Sequence, residues 1–387
     1  MADIKNVNLD PSLDIPKEKF EYVHFDEKIH DEAIKGEAIG FFKDAMIRFR
    51  KNKAALVSFV IIAILAIMAI IGPSIGKFTY DEQNVKMTNM TPRISWANSD
   101  FFSGVKKKEV RETSIEEKYA DSYLKTISTR EIMGVPMATI KYDQYKQVEI
   151  ENPDLEPKPT SIYHWFGSDY LGRDLWTRLW RGLRVSFLIS LIAMAVNIFV
   201  GIVYGAVSGY YGGWTDLIMQ RIIEILGGVP YLVIVILFVF YYGPGIVPLA
   251  LAMCMTGWIG MSRMIRAQFL KYKEMEYVLA SRTLGASDRT LIFRHILPNA
   301  IGIIITMAAL EIPGAIFSES FLAYIGLGIQ APESSIGVLL ADGQKVLLEH
   351  PHLTVFPSIV ISVMMIAFNL MGNGLRDAFD PTLRGIE

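Results

Sequence analysis

The feature that most constrains this chain is an apolar run from Ala54 to about Gly76 with no charged residue in it. A helix of that length crosses a hydrocarbon core about 30 Å thick at about 1.5 Å per residue. Inside lipid such a run must satisfy its own backbone, which a helix does alone. Five more apolar runs follow, at about 185–204, 217–242, 246–261, 300–324 and 355–371, so a six-span helical membrane protein is expected. The overall 51% hydrophobic content and mean hydropathy of +0.31 average over a sharp division between these runs and charged stretches. A net charge of −2 gives no field that would draw nucleic acid. The single cysteine, Cys254, rules out a disulfide within the chain and a cysteine-based metal site. His350 and His352 flank a proline and form only a weak ligand pair, so no metal is assigned. Some fifty polar residues precede the first run, so an uncleaved signal-anchor is expected rather than a cleaved leader.

Read in order, residues 1–53 form a cytoplasmic N-terminal segment, with a helix approaching the membrane from about Asp31. Lys43, Arg48, Arg50, Lys51 and Lys53 cluster just before the first span (54–76), as cytoplasmic flanks do. Residues 77–163 form a polar, charge-mixed insert, expected outside the membrane, with β-structure around 138–150. Residues 164–184 place Leu175, Trp176, Leu179, Trp180 and Leu183 on one stripe and Arg173, Arg178, Arg181 and Arg184 on the rest. That pattern predicts an amphipathic helix lying in the interface, with its tryptophans at headgroup depth. The remaining core, 185–387, holds spans two to six. Gly201, Gly205 and Gly209 recur every four residues in span two and open one face to another helix. Gly227, Gly228 and Pro230 predict a kink in span three. With the N-terminus inside, residues 263–299 and the tail also lie inside, in agreement with seven basic residues in that loop. The arginines of 173–184 then lie outside and break the rule.

No phosphate-binding loop, no HExxH and no GxSxG occurs, so nothing supports catalysis or ATP hydrolysis by this chain itself. The polar loop 263–299 is longer than a connector needs. Its content suggests two short helices hinged at Gly285, which suits the left-handed position that stops a helix. Ser287 can cap the second helix, Asp288 complements its dipole, and Pro298 is expected to close it. Ala280 and Ser281 are small enough for close approach of a partner, with Glu276 one turn earlier on the same side.

EYVLASRTLGASDRTLIFRHILPN (276–299) resembles the EAA loop of the membrane subunits of bacterial ABC importers. GSDYLGRD (167–174), RMIRAQ (263–268), ESFLAYIGLG (319–328) and NLMGNGLRDAFDPTLR (369–384) extend the resemblance to the C-type permease subunit of oligopeptide and dipeptide transporters. It covers about 160–385, plus the first span by position, and leaves 1–42 and 78–158 outside. Ser281 stands where the family often has alanine, and Ala323-Tyr324 where it has Ser-Phe. The resemblance implies the type I ABC importer permease fold, with six transmembrane helices in a bacterial inner membrane and both termini cytoplasmic. It makes the elbow a coupling helix seated on an ATP-binding subunit, with Glu276, Tyr277, Ala280, Ser281, Leu284, Gly285 and Ala286 as contact positions. The implied partners are a second homologous permease chain, two ATP-binding subunits that hold ATP and magnesium, an extracytoplasmic peptide-binding protein and membrane lipid. This chain then holds no cofactor.

Two intramembrane acids remain. Glu311 lies near mid-span, and Glu319, eight residues on, shares roughly its face. They line a translocation path or make structural contacts to a neighbouring helix, and the sequence leaves both open. The expectation is a pore-forming subunit of an oligopeptide importer. Nickel or another small solute on the same fold is the alternative, and an ion-coupled carrier or membrane anchor is the alternative of another class.

Overall fold

A computed structural model describes residues 40–96 and 101–379. The chain divides into two compact units, Met1–Asp44 and Ala45–Glu387. Of the first only residues 40–44 are described, so the start of the helix expected from Asp31 lies outside the described residues, as does the end of the tail, while Phe41–Lys51 is helical as expected.

The membrane part is helical. After α1 (Phe41–Lys51), α2 (Lys53–Ile75) starts at Asn52, whose side chain accepts from the Ala55 amide at 3.1 Å. A polar insert holds β1 (Val105–Arg111), α3 (Thr113–Lys118), β2 (Tyr123–Ile132), β3 (Val135–Asp143) and α4 (Gln144–Glu151). Then come α5 (Leu175–Tyr211), α6 (Gly213–Gly227), α7 (Tyr231–Tyr242), α8 (Ile246–Thr256), α9 (Trp258–Tyr272), α10 (Glu276–Thr283) and α11 (Asp288–Thr290). The last three are α12 (Leu297–Tyr324), α13 (Ile336–Lys345) and α14 (His352–Phe379). Among the described residues five helical stretches are long and apolar enough to cross a membrane: 53–75, 175–211, 246–272, 288–324 and 352–379. A sixth exists if α6 and α7, bent by 73° at their junction, count as one span. Gly227 and Gly228 end α6, and Pro230 brings no amide donor to α7, so the expected kink is a sharp break.

The central element is α5. Leu175, Leu179 and Leu183 pack against α2, α13 and α14. Val185, Ile189 and Ala193 meet α7, α8 and α12. Ala206 and Tyr210 join α9, α10 and the start of α12. Lipid tails are as apolar as leucine, so between spans this packing stabilises by close contact and polar ties rather than by escape from water.

The interfacial helix expected over 164–184 is not a separate element, because α5 starts at Leu175 and runs unbroken through 185 to Tyr211. Its arginines are met inside the protein instead of at a lipid surface. Arg173 Nε and Arg178 Nη1 donate to the Asp169 carboxylate at 2.8 and 2.9 Å, and all three side chains are buried. Arg181 pairs with Glu333 at 2.8 Å. Arg184 Nε donates at 2.9 Å to the Ala69 carbonyl in α2, the acceptor that Pro73 cannot serve for want of an N–H. Arginines engaged in this way are structural ties, so their number says little about which side of the membrane they occupy.

The insert is a three-stranded antiparallel sheet in the order β1-β3-β2, with Val110, Tyr119, Ala138, Ile140 and Tyr142 forming a small core on one face. The strand alternation expected to about 150 stops at Asp143. Its carboxylate accepts from the Tyr145 and Lys146 amides and so starts α4. The insert is sewn to the root of α5: Ser168 Oγ donates to the Met87 carbonyl at 2.5 Å and accepts from the Met90 amide at 2.9 Å.

Candidate functional site: an elbow between two long helices

The polar loop is shorter than 263–299, since α9 carries the preceding span on to Tyr272. From Glu276 a two-turn helix runs to Thr283, with its acid in the first turn, where the helix dipole favours it. Gly285 then adopts φ +86°, and the Ala286 amide reaches back to the Ser281 carbonyl at 3.1 Å, closing the helix in a Schellman turn. Ser287 Oγ accepts from the Thr290 amide at 3.4 Å and starts α11. Pro298 does not end that helix, contrary to the expectation. A π-turn over 291–296, with the Leu297 amide on the Ile292 carbonyl, absorbs the missing proline donor, and the helix continues through α12.

The short helix α10 has an inner and an outer side. Val278 is fully buried among Ile265, Phe269, Leu291 and Ile296. Ser281 Oγ lies 3.3 Å from His295 Nε2, and Asn299 Nδ2 donates to the Tyr277 hydroxyl at 3.1 Å. Partial burial raises the Tyr277 pKa, so the hydroxyl stays protonated at neutral pH. On the outer side Glu276, Tyr277, Ala280 and Gly285 are exposed, Ala286 is half-buried, and Leu284 stands 88% exposed at the tip.

Residues that sequence reasoning missed tie this elbow to α5. The Tyr210 hydroxyl donates to Asp288 Oδ1 at 2.5 Å, and Arg282 Nη2 reaches the same hydroxyl at 3.4 Å. Lys273 Nζ donates to the Gly209 carbonyl at 2.9 Å. Next to them Arg266 clasps Asp216 through two hydrogen bonds of 2.6 and 2.5 Å, and Ser208 donates to the same carboxylate. The end of α5 is thus joined to α6, α9, α10 and α11 by charged or polar contacts. Nothing local in the sequence signals this, because Tyr210 and Asp288 are 78 residues apart. Along the same edge, Gly201, Gly205 and Gly209 face α9. A Cβ placed on Gly205 would lie 2.4 Å from the Ser262 carbonyl oxygen.

The two acids separate. Glu311 is half-buried and accepts from Asn197 Nδ2 at 2.8 Å. Glu319 is fully buried and accepts from Ser186 Oγ at 3.1 Å, so it faces α5. Among the described residues no group of three or more His, Cys, Asp or Glu could hold a metal ion.

Sequence comparison supplies the context for this geometry. The family described as "Binding-protein-dependent transport system inner membrane component" matches residues 180–385, and "N-terminal TM domain of oligopeptide transport permease C" matches residues 40–92. The oligopeptide transport system permease protein OppC of Bacillus subtilis is 36% identical over 353 residues, 91% of this chain and 93% of its own length. The chain belongs to this permease family. The dipeptide transport system permease protein DppC of Bacillus subtilis is 35% identical over 91% of this chain and 89% of its own length. The glutathione transport system permease protein GsiD of Pectobacterium atrosepticum is 35% identical over 59% and 76%. Among solved structures, an amino acid ABC transporter with histidines aligns at 17% identity and TM-score 0.41, over 51% of this chain and 92% of its own. The permease is thus a multi-pass inner-membrane subunit of an ABC transporter, and the relatedness spans far more of it than 160–385.

Proposed function

We propose that the permease is a pore-forming subunit of an ATP-driven peptide importer, pairing with a second permease chain. Two ATP-binding subunits sit at the cytoplasmic face, where they bind ATP and magnesium, and a peptide-binding protein docks on the opposite side. The names of the relatives, which transport oligopeptides, dipeptides and glutathione, support the peptide class. The observation that carries the coupling role is the outer face of α10, with Leu284 exposed at its tip and its inner face locked to α9, the π-turn and α12. A surface so built receives force from outside and passes it on to two long helices.

Movement of the ATP-binding subunits pushes Glu276, Ala280 and Leu284. The Tyr210–Asp288 and Lys273–Gly209 contacts carry that displacement to α5, and the spans rotate to open one side or the other. No bond of the peptide is made or broken. Glu311, half-buried beside Asn197, is the acid assigned in this reading to meet a peptide amino group, whereas Glu319 braces α12 on α5. Both termini and the elbow lie inside and the insert lies outside.

The test is purification of the intact complex from its native membrane, with identification of its subunits and of any bound peptide. Two ATP-binding subunits, a second permease and a peptide are expected. A chain that purifies alone and transports by an ion gradient would overturn the proposal.

A further inference from the structure

Across the insert the three strands place lysines in one row. Lys107 of β1 is directly opposite Lys141 of β3, and Lys141 is directly opposite Lys125 of β2. Directly paired residues in antiparallel strands share a face, and like charges so paired destabilise a sheet. Lysines on edge strands are a common guard against edge-to-edge aggregation, which would account for Lys107 and Lys125. That explanation fails for Lys141, which sits on the central strand between them. Lys141 is engaged by an interaction of its own, so the outward charge of the row rests on Lys107 and Lys125, both exposed.

The rest of the face does not cancel this charge. Among the described residues its acids are Glu109 and Asp143. Glu109 is taken by Arg130, at 2.6 Å through each of two hydrogen bonds, and Asp143 caps α4. Arg111 adds a further cation on the same face. At one end of the row the sheet meets the turn before α14 and encloses a cleft of about 450 Å³. Phe101, Val105 and Leu348 give it apolar wall, Lys106, Lys107 and Lys141 its charge, and Glu349 is its one acid among the described residues. The Glu349 side chain is 81% exposed, and Leu348 beside it is 99% exposed. Lys106 is held half-buried against His350 at 3.4 Å, and burial together with Lys108 lowers its pKa.

We propose that the lysine row and its cleft receive an acidic segment of the extracytoplasmic binding protein, a carboxylate on the lysines and an apolar side chain against Leu348 and Phe101. This rests on the proposed function, which places the insert outside and requires a protein to dock there. A membrane surface is the less suitable occupant. Lipid headgroups meet flat cationic patches, whereas here charge lines a concave wall that is half apolar.

The test uses the whole complex reconstituted in lipid nanodiscs and the binding protein that co-purifies with it. Binding is measured for wild type, the double variant Lys107→Glu/Lys125→Glu, and the milder Lys107→Gln/Lys125→Gln. Affinity is expected to fall about tenfold in the Glu variant at low salt and less in the Gln variant, with the gap narrowing at high salt as the charges are screened. Unchanged affinity in both variants, with normal wild-type binding, removes this inference alone. An effect seen only in anionic lipid, with binding-protein affinity intact, assigns the surface to the membrane and overturns it equally. A wild-type complex that binds no such protein removes the proposed function as well.

Discussion

Replacing Gly205 by alanine tests the closest approach in the fold. The new Cβ would stand 2.4 Å from the Ser262 carbonyl oxygen, 2.8 Å from Ile265 Cβ and 3.0 Å from the Arg266 amide nitrogen. Ordinary contact begins at 3.4 Å, so α5 and α9 must separate by about 1 Å at that level. Two of the three obstructing atoms are backbone, so no rotamer change relieves the clash. Overpacking of this kind costs about 1–3 kcal/mol. Alanine returns up to about 1 kcal/mol as the better helix former, leaving a net destabilisation of about 0–3 kcal/mol. Gly260→Ala in α9 isolates the helix-forming gain, because nothing lies within 4 Å of a Cβ there. Thermal unfolding of the purified complex should therefore place Gly205→Ala below Gly260→Ala by several degrees. Gly209→Ala, facing the Arg266 carbonyl oxygen at 2.7 Å, should follow it down. If Gly205→Ala melts at or above Gly260→Ala, the close-approach reasoning is wrong.

Gly285→Val puts a β-branched residue at φ +86°, a cost of about 1–2 kcal/mol from backbone strain alone, as the space around it is open. The complex should assemble and hydrolyse ATP while uptake is lost, and wild-type uptake would count against force transfer through the elbow. Glu311→Gln keeps an acceptor for Asn197 but removes the charge, so uptake should drop with assembly intact. Unchanged uptake would leave Glu311 as a structural contact only. His350 is held down to about 4, first by burial and then by Lys106, with Glu349 opposing. The unfolded chain takes up that proton near 6.5, so between these values it binds more protons than the folded chain, and stability falls as pH falls. His350→Asn should flatten the decline in melting temperature between about pH 6.5 and 4, and an unchanged slope would show that other groups dominate it.

The membrane class was legible because spanning helices leave long uncharged runs, which no soluble core requires. The elbow was legible because its stops and starts are local: Gly285 ends one helix, and Ser287 begins the next. What misled was the meaning of arginines. An amphipathic pattern over 173–184 is the same whether its charges face water or a buried carboxylate, and only Asp169, folded back against Arg173 and Arg178, decides between them. Pro298 misled for a related reason, since a proline ends a helix unless a π-turn is available to take up the missing hydrogen bond.

By itself, then, the sequence determined the number of apolar runs, the hinge at Gly285 and the absence of any ATP-binding motif, since each depends on residues adjacent in the chain. The tertiary structure decided which elements the elbow is tied to and which acid stays accessible. Tyr210 reaches Asp288, and Glu319 vanishes against Ser186, only because α5 passes between elements far apart in sequence. Contacts at that separation carry no local periodicity, so composition and spacing cannot announce them.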